Sequence, residues 1–583
     1  MSAVLKFILA WPGMFVPFRS WIGELRSPET LKADIIAGVT VALVLVPQSM
    51  AYAQLAGLPS YHGLYAAFLP VMIAAFFGSS RQLATGPVAI VSLMTASTLA
   101  PYINSPETYI AYAMLLAFLV GIFQIALGLF RMGVLVDFLS HPVVIGFTNA
   151  ACIIIATSQL GKLVGVTVPR ADTHYEYVFN KIIFALENAN GATILMSVLA
   201  LAIMYWFKVY RPKFPGVLIA VVVTTLLSWA LDYRSMGGAI VGTIPQGLPS
   251  FGVPEFDLSV MKELASAAIA IALIGFMEAI SIAKVMAART RQRLDSSQEL
   301  IGQGMGNIFA SLFQGYAVSG SFSRSAVNIS AGAVTGFSSL VTGLGVAITL
   351  LFLTPLLYNL PQATLAAVII MAVISLVKIE PVKHAWAVQK SDAVISMIVF
   401  FLTLYLAPHL EMGLFIGIGL SIFFFLVRSM RPRFVELTRH EDGTLRDAEF
   451  HHLPVQEEIS VFRFDMPLYF ANAGYMETMI LESVARKPNL KFVIIDMESI
   501  TMIDATGEEV LEGLTERLGA LGIEVLISRT KMPIQDILDH AGYTKMIGTD
   551  HFFRTRDEAI KYALHQLHMD DAPSPLRRTI QKD

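Results

Sequence analysis

Residues 35–60 and 82–106 contain no Asp, Glu, Lys or Arg. Each stretch exceeds the roughly 20 apolar residues that carry a helix across a bilayer. Further apolar runs lie at 62–79, 109–130, 138–161, 192–207 and 215–231, then at 264–283, 300–316, 323–333, 336–358, 363–377, 392–407 and 412–427. This makes fourteen candidate spans, seven on each side of a polar, Pro/Gly-rich connection at 232–262. Only 15% of the 583 residues are charged and 55% are hydrophobic, whereas a soluble domain carries roughly 25% charged residues. An ordinary soluble enzyme is therefore excluded, and a multi-span helical membrane protein is expected.

The basic residues orient it. Lys208, Arg211 and Lys213 follow span 6; Lys284, Arg289, Arg291 and Arg293 follow span 8; Lys378, Lys383 and Lys390 follow span 12; Arg428, Arg431 and Arg433 follow span 14. All four clusters follow even-numbered spans. Because basic loops are retained inside, both termini are expected in the cytoplasm, in a cell membrane such as the inner membrane of a bacterium. The apolar segment 5–18 holds two prolines and lacks a small-residue cleavage site, so it reads as an interfacial lead-in rather than a signal peptide. Past Arg433 charged residues become frequent. Strand patterns at 459–464, 492–495 and 523–528 alternate with helical spacing of Leu511, Leu514 and Leu518 and with helices at 531–541 and 556–568. A cytoplasmic α/β domain is expected there.

Chemistry-bearing motifs are few. There is no HExxH, Walker A loop or nucleophile–base pair, and the one cysteine, Cys152, excludes a disulfide framework or a cysteine zinc site. No cofactor, metal or enzymatic activity is expected, and a net charge of -3 offers nothing to nucleic acid. Gly302, Gly304 and Gly306 lie within an apolar span, where glycines permit close helix packing rather than form a nucleotide loop.

What stands out is where glycine and proline interrupt the spans. Span 3 begins after Thr85-Gly86-Pro87 and span 10 after Ser319-Gly320-Ser321, at corresponding places in the two halves. Such broken helices mark substrate sites in transporters. Their amino termini present unpaired N–H groups and partial positive charge, which suits an anion. Ser321, Ser323 and Ser325 add hydroxyls and Arg324 a fixed charge; alternatively the serines cap the helix and Arg324 snorkels to the interface. Glu278 is the lone charge in the apolar stretch 269–282. A carboxylate so placed is suited to carry a proton, or it forms a salt bridge with Lys284 or Arg324. In span 1, Pro47 frees backbone groups, and Gln48 and Tyr52 share a helical face that either lines a polar cavity or simply packs.

These motifs carry a resemblance. Val46-Pro47-Gln48-Ser49-Met50-Ala51-Tyr52-Ala53, Gly63-Leu64-Tyr65-Ala66-Ala67-Phe68, Gly78-Ser79-Ser80-Arg81, Gly86-Pro87-Val88-Ala89 and Gly320-Ser321-Phe322-Ser323-Arg324-Ser325-Ala326-Val327-Asn328 resemble, in order, the SulP family of anion permeases over residues 20 to 568. The resemblance implies a uracil-permease-like fold of two inverted seven-helix repeats with core and gate domains, an anion held between spans 3 and 10, a homodimer and a carboxy-terminal STAS domain. It implies substrate contacts at Gln48, Tyr52, Gly86, Pro87, Val88, Phe322, Ser323 and Arg324, and ion coupling at Glu278. The corresponding domains are an amino-terminal segment 1–32, a transport domain 33–432 with repeats at about 33–233 and 263–428, a STAS domain 450–570 and a tail 571–583. Val88 stands where animal members often have phenylalanine. Ala505 stands where sigma-factor antagonists carry a phosphorylated serine, so the tail is expected to serve assembly, gating or a cytoplasmic protein partner.

The expected function is proton-coupled symport of a small inorganic oxyanion, sulfate first, through an elevator-like cycle. Bicarbonate or dicarboxylate transport, anion exchange, a passive anion channel and a membrane sensor are the competing readings.

Overall fold

In the computed structural model, residues 17–102, 105–133, 140–166, 174–211, 214–569 and 574–577 are described. The expected lead-in at 5–18 lies outside them but for its last two residues. The chain divides into two compact units, Met1–Ser421 and Ile422–Asp583.

Every apolar run meets a helix. The first half gives α1 (Pro28–Leu55), α2 (Ser60–Phe77), α3 (Ala89–Thr98), α4 (Pro106–Leu129), α5 (His141–Val164), α6 (Gly191–Tyr210) and α7 (Gly216–Ala230). The second gives α8 (Leu258–Thr290), α9 (Ser296–Leu312), α10 (Phe322–Ser330), α11 (Phe337–Ile348), α12 (Gln362–Ile374), α13 (Lys390–Leu406) and α14 (Leu410–Met430). Eight of the described helices are long and apolar enough to cross a membrane, while α3, α7 and α12 are shorter apolar helices. Three further helices, Arg19–Ile22, His174–Asn188 and Glu380–Val388, were not anticipated; each is too short or too polar to be found in a search for apolar runs.

Local chemistry sets the ends. Asp257 accepts from the Ser259 amide at 2.8 Å to start α8, and Asp295 accepts from the amides of Ser297 and Gln298 to start α9. Both are side-chain caps on donors that a helix otherwise leaves unpaired. Helices α1–α4 and α8–α11 pack on one another, and α5–α7 with α12 and α13 make a second group. Within the first group α4 and α9 approach each other closely at glycine. A Cβ on Gly121 would lie 2.7 Å from the Gly304 carbonyl oxygen, and one on Gly304 2.7 Å from that of Gly121. The glycines at 302–306 thus serve helix packing, as expected.

The halves meet at a two-stranded antiparallel ribbon, β1 (Ala84–Gly86) with β2 (Ser319–Ser321), in which Thr85 pairs with Gly320. Buried amides hold this ribbon in place. The Asn307 carboxamide accepts from Val318 N at 2.7 Å and donates to Val318 O, Gln303 O and Gln124 Oε1. Gln303 donates to Thr85 Oγ1 at 2.8 Å and to Glu299, and Glu299 accepts from the amides of Ser79 and Ser80.

The second unit holds a six-stranded sheet ordered β4-β3-β5-β6-β7-β8, from β3 (Phe434–Arg439), β4 (Leu445–Asp447), β5 (Ile459–Phe464), β6 (Phe492–Asp496), β7 (Glu524–Ser528) and β8 (Phe552–Phe553). Strands β5 to β8 are parallel and β3 is antiparallel to β5. The period-2 alternation of buried strand residues feeds both faces. Val493, Ile495, Val525 and Ile527 pack under α15 (Ala473–Arg486), α16 (Ala505–Ala520) and α17 (Met532–Ala541). Phe492, Ile494 and Leu526 pack under α19 (Arg556–Gln566), which follows the short α18 (Tyr543–Ile547). The three expected strands and the helices near 511, 531–541 and 556–568 are present; β3, β4, β8, α15 and α18 were not anticipated.

Candidate functional site between the broken helices

Because β1 and β2 pair antiparallel, they deliver the amino termini of α3 and α10 to one place. No side chain caps either end: Val88 precedes α3, and Ser321 precedes α10 without bonding to its amides. The Ser321 hydroxyl lies 3.4 Å from that of Ser323 instead. Both ends border a cavity of about 710 Å³, lined there by Val88, Ala89, Ile90, Gly320, Ser321, Phe322 and Ser323. The first amides of two helices are therefore left for whatever occupies the cavity.

Gln48 and Tyr52 of α1 and Glu278 of α8 line the same cavity. The shared helical face of Gln48 and Tyr52 thus looks into a cavity, and Gln48 Oε1 is buried without a partner. Among the described residues no ion pair to Glu278 forms; the cation that acts on it electrostatically is Lys378.

Gly86, Pro87 and Arg324 sit behind the wall. Arg324 is 0% exposed, so it does not snorkel. Its Nη1 donates to the Pro87 carbonyl at 2.8 Å, while Nε and Nη2 lack partners in this structure. Gly86 has a φ of +151°, a backbone conformation that L side chains rarely adopt, and a Cβ there would also lie 3.3 Å from Arg324 Nη2. A guanidinium backing two helix ends adds full positive charge to their partial charges in a low-dielectric setting. Ser325 is occupied structurally, accepting from the Ala84 amide at 2.9 Å. Tyr316 shares a 3.0 Å hydrogen bond with Ser92 of α3, whose hydroxyl also donates to Val88 O.

Sequence reasoning did not find the opposite wall. His141, Thr148 and Asn149 of α5, Lys208 of α6, and Lys378 also line the cavity. Asn149 holds the Lys378 backbone by two 2.9 Å hydrogen bonds, donating to its carbonyl and accepting from its amide. Lys208 and Lys378 were legible only as loop charges that set orientation. Asn149, a carboxamide inside an apolar run, was the available signal.

A helical membrane fold whose halves bring two interrupted helices together over a cavity with a few convergent polar groups defines a solute permease. Residues 31–399 match the model of the sulfate permease family, and residues 452–559 match that of the STAS domain. The chain belongs to the sulfate permease family, a family of membrane anion transporters, and carries a STAS domain. It is 37% identical to "Probable sulfate transporter 4.2" of Arabidopsis thaliana over 580 residues, covering 96% of this chain and 85% of that protein. The fold matches the murine Solute Carrier 26 family member A9 anion transporter in its inward-facing state with a TM-score of 0.87 and 23% identity, over 95% of each chain. The transmembrane domain of the cyanobacterial bicarbonate transporter BicA matches with a TM-score of 0.58 and 25% identity, over 68% of this chain and 98% of that one.

Proposed function

We propose that the protein is a proton-coupled importer of sulfate. The observation that carries this reading is the pair of uncapped helix ends sharing one cavity with a lone carboxylate, Glu278. Sulfate is favoured over other anions because relatives that match 96% of the chain carry the names of sulfate transporters. Val88, Phe322, Ser323, Gln48 and Tyr52 contact the anion. Gly86 and Pro87 shape the α3 end, and Arg324 acts on the anion through its charge from behind. Glu278 takes a proton outside and releases it inside, so that anion and proton cross together as the α1–α4/α8–α11 group moves past the other in an elevator-like step. Both termini lie in the cytoplasm, the protein works as a homodimer, and the STAS domain offers a surface for a cytoplasmic partner.

Uptake of labelled sulfate into proteoliposomes tests the reading. Acidifying the outside is expected to drive sulfate above its outside concentration, which a passive channel cannot do. Glu278→Gln is expected to remove the acid stimulation. Acid-independent uptake that the Glu278→Gln variant leaves unchanged would falsify the coupling. Competition by bicarbonate, chloride and fumarate reads the selectivity.

A further inference from the structure

Beyond the last residues of α1 and α5 that line the cavity, a hydrogen bond joins the two helix groups directly. Lys162 Nζ of α5 donates to Gln54 Oε1 of α1 at 3.3 Å, and Gln54 Nε2 donates in turn to Ser60 Oγ. Helix α1 lines the cavity at Val44, Gln48 and Tyr52, so Gln54 stands just past the last lining residue. Helix α5 lines it from His141 to Asn149 and no further. Lys162 lies thirteen positions beyond Asn149, about 20 Å along a helix. The exposed His141, Lys208 and Lys378 mark the other, open end. Lys162 therefore sits where the path must open when the mouth closes.

Two features of this contact do not suit a permanent tie. The bond is long for an N–H···O contact, and its acceptor is neutral. Among the described residues no carboxylate pairs with the half-buried ammonium. Even a partly buried cation without a counter-charge is costly to keep. Nearby, Gln159, three residues before Lys162 on the same face of α5, has its Oε1 buried without a partner in this structure. These polar groups are those of a solute path held shut.

We propose that Lys162 recruits the incoming anion at the external entrance. In the state described it is latched to Gln54. When α1 and α5 part, the ammonium is freed into the opening, where a small oxyanion supplies the counter-charge it lacks and is passed inward past Gln54 and Tyr52. This rests on the transport reading and orientation given above, and adds to them a first binding step on one face only.

Labelled sulfate is followed in right-side-out and inside-out membrane vesicles containing the full chain. Lys162→Gln is expected to raise the external half-saturation concentration five- to tenfold and to flatten its dependence on ionic strength, with the internal value held within twofold. Lys162→Arg is expected to stay within twofold of the parent on both faces. Gln54→Leu removes the latch but keeps the ammonium, so external half-saturation is expected to stay within twofold. An equal change on both faces, no external change, or a rise in Gln54→Leu matching that of Lys162→Gln overturns the proposal. Where Lys162→Gln does not fold, Lys162→Cys treated with an amine-bearing thiosulfonate is expected to recover external half-saturation. Equal recovery by a neutral reagent overturns the proposal. Absence of sulfate transport by the parent in either vesicle type is instead a failure of the function itself.

Discussion

Arg324 shows what one residue can reveal before its surroundings are known. Its cost in a membrane and its position after an interrupted span marked it as functional in the sequence. That it lies behind the cavity wall, bonded to the Pro87 carbonyl, depends on which face of a nine-residue helix turns inward. So short a helix carries too few turns for a periodicity to declare this. The geometry leads to a prediction: Lys is not an adequate replacement. A lysine has no planar fork to hold the Pro87 carbonyl while directing other donors forward. Arg324→Lys is expected to lower sulfate uptake at least tenfold with normal insertion and folding. Gly86→Ala tests the same region from the other side, because its methyl group lies 3.3 Å from Nη2 on a backbone whose φ of +151° disfavours a side chain. It is expected to cost about 1–3 kcal/mol of stability through backbone strain and crowding and to raise the half-saturation concentration several-fold. Measuring uptake and thermal stability on the same preparations checks both. Parent-like affinity in Gly86→Ala would remove the argument that the guanidinium must sit where it does.

Among the elements, the fourteen apolar runs and the two interruptions were legible because lipid demands long uncharged stretches and because glycine and proline stand where helices break. The ribbon of β1 and β2 was not, since three residues carry no strand pattern and their pairing spans more than 230 positions. Its support was legible only in part: Gln124, Gln303 and Asn307 are carboxamides in apolar spans, but their mutual bonding needs α4 and α9 already packed. Asn307 is the centre of that support, fully buried with four hydrogen bonds. Removing it strands the amide and carbonyl of Val318, each costing about 1–3 kcal/mol when left unpaired. Asn307→Leu is therefore expected to destabilise the protein by about 3 kcal/mol or more. It is also expected to weaken sulfate binding although residue 307 does not line the cavity. Thermal unfolding and equilibrium binding of sulfate measure the two effects. Lost stability with intact affinity would mean that the ribbon holds its geometry without this residue.

At the scale of the whole molecule, the boundary between the units shows what a composition shift can and cannot locate. The change in charge near Arg433 was plain, and so were the central strands, because parallel strands buried on both faces read as apolar runs. The edge was less so: β3 alternates apolar and charged residues directly after a membrane helix, and its role comes from pairing with β5 across the intervening β4. Within that strand Val435 and Leu437 are buried against Ile459, Val461 and Ile494. Burying two such side chains contributes about 1.5–3 kcal/mol each, a large fraction of the 5–15 kcal/mol typical of a domain. Loss of β3 also exposes the full edge of β5 to pairing with other chains. A fragment of residues 432–577 is accordingly expected to be soluble and to unfold in one cooperative transition. A fragment of residues 450–577 is expected to melt at least 10 °C lower, since about 1 kcal/mol moves the midpoint by several degrees in a domain of this size, and to aggregate on standing. Calorimetry and light scattering on the two fragments decide the matter. Equal midpoints would show that β3 belongs energetically to the membrane unit's connection and not to the sheet it pairs with.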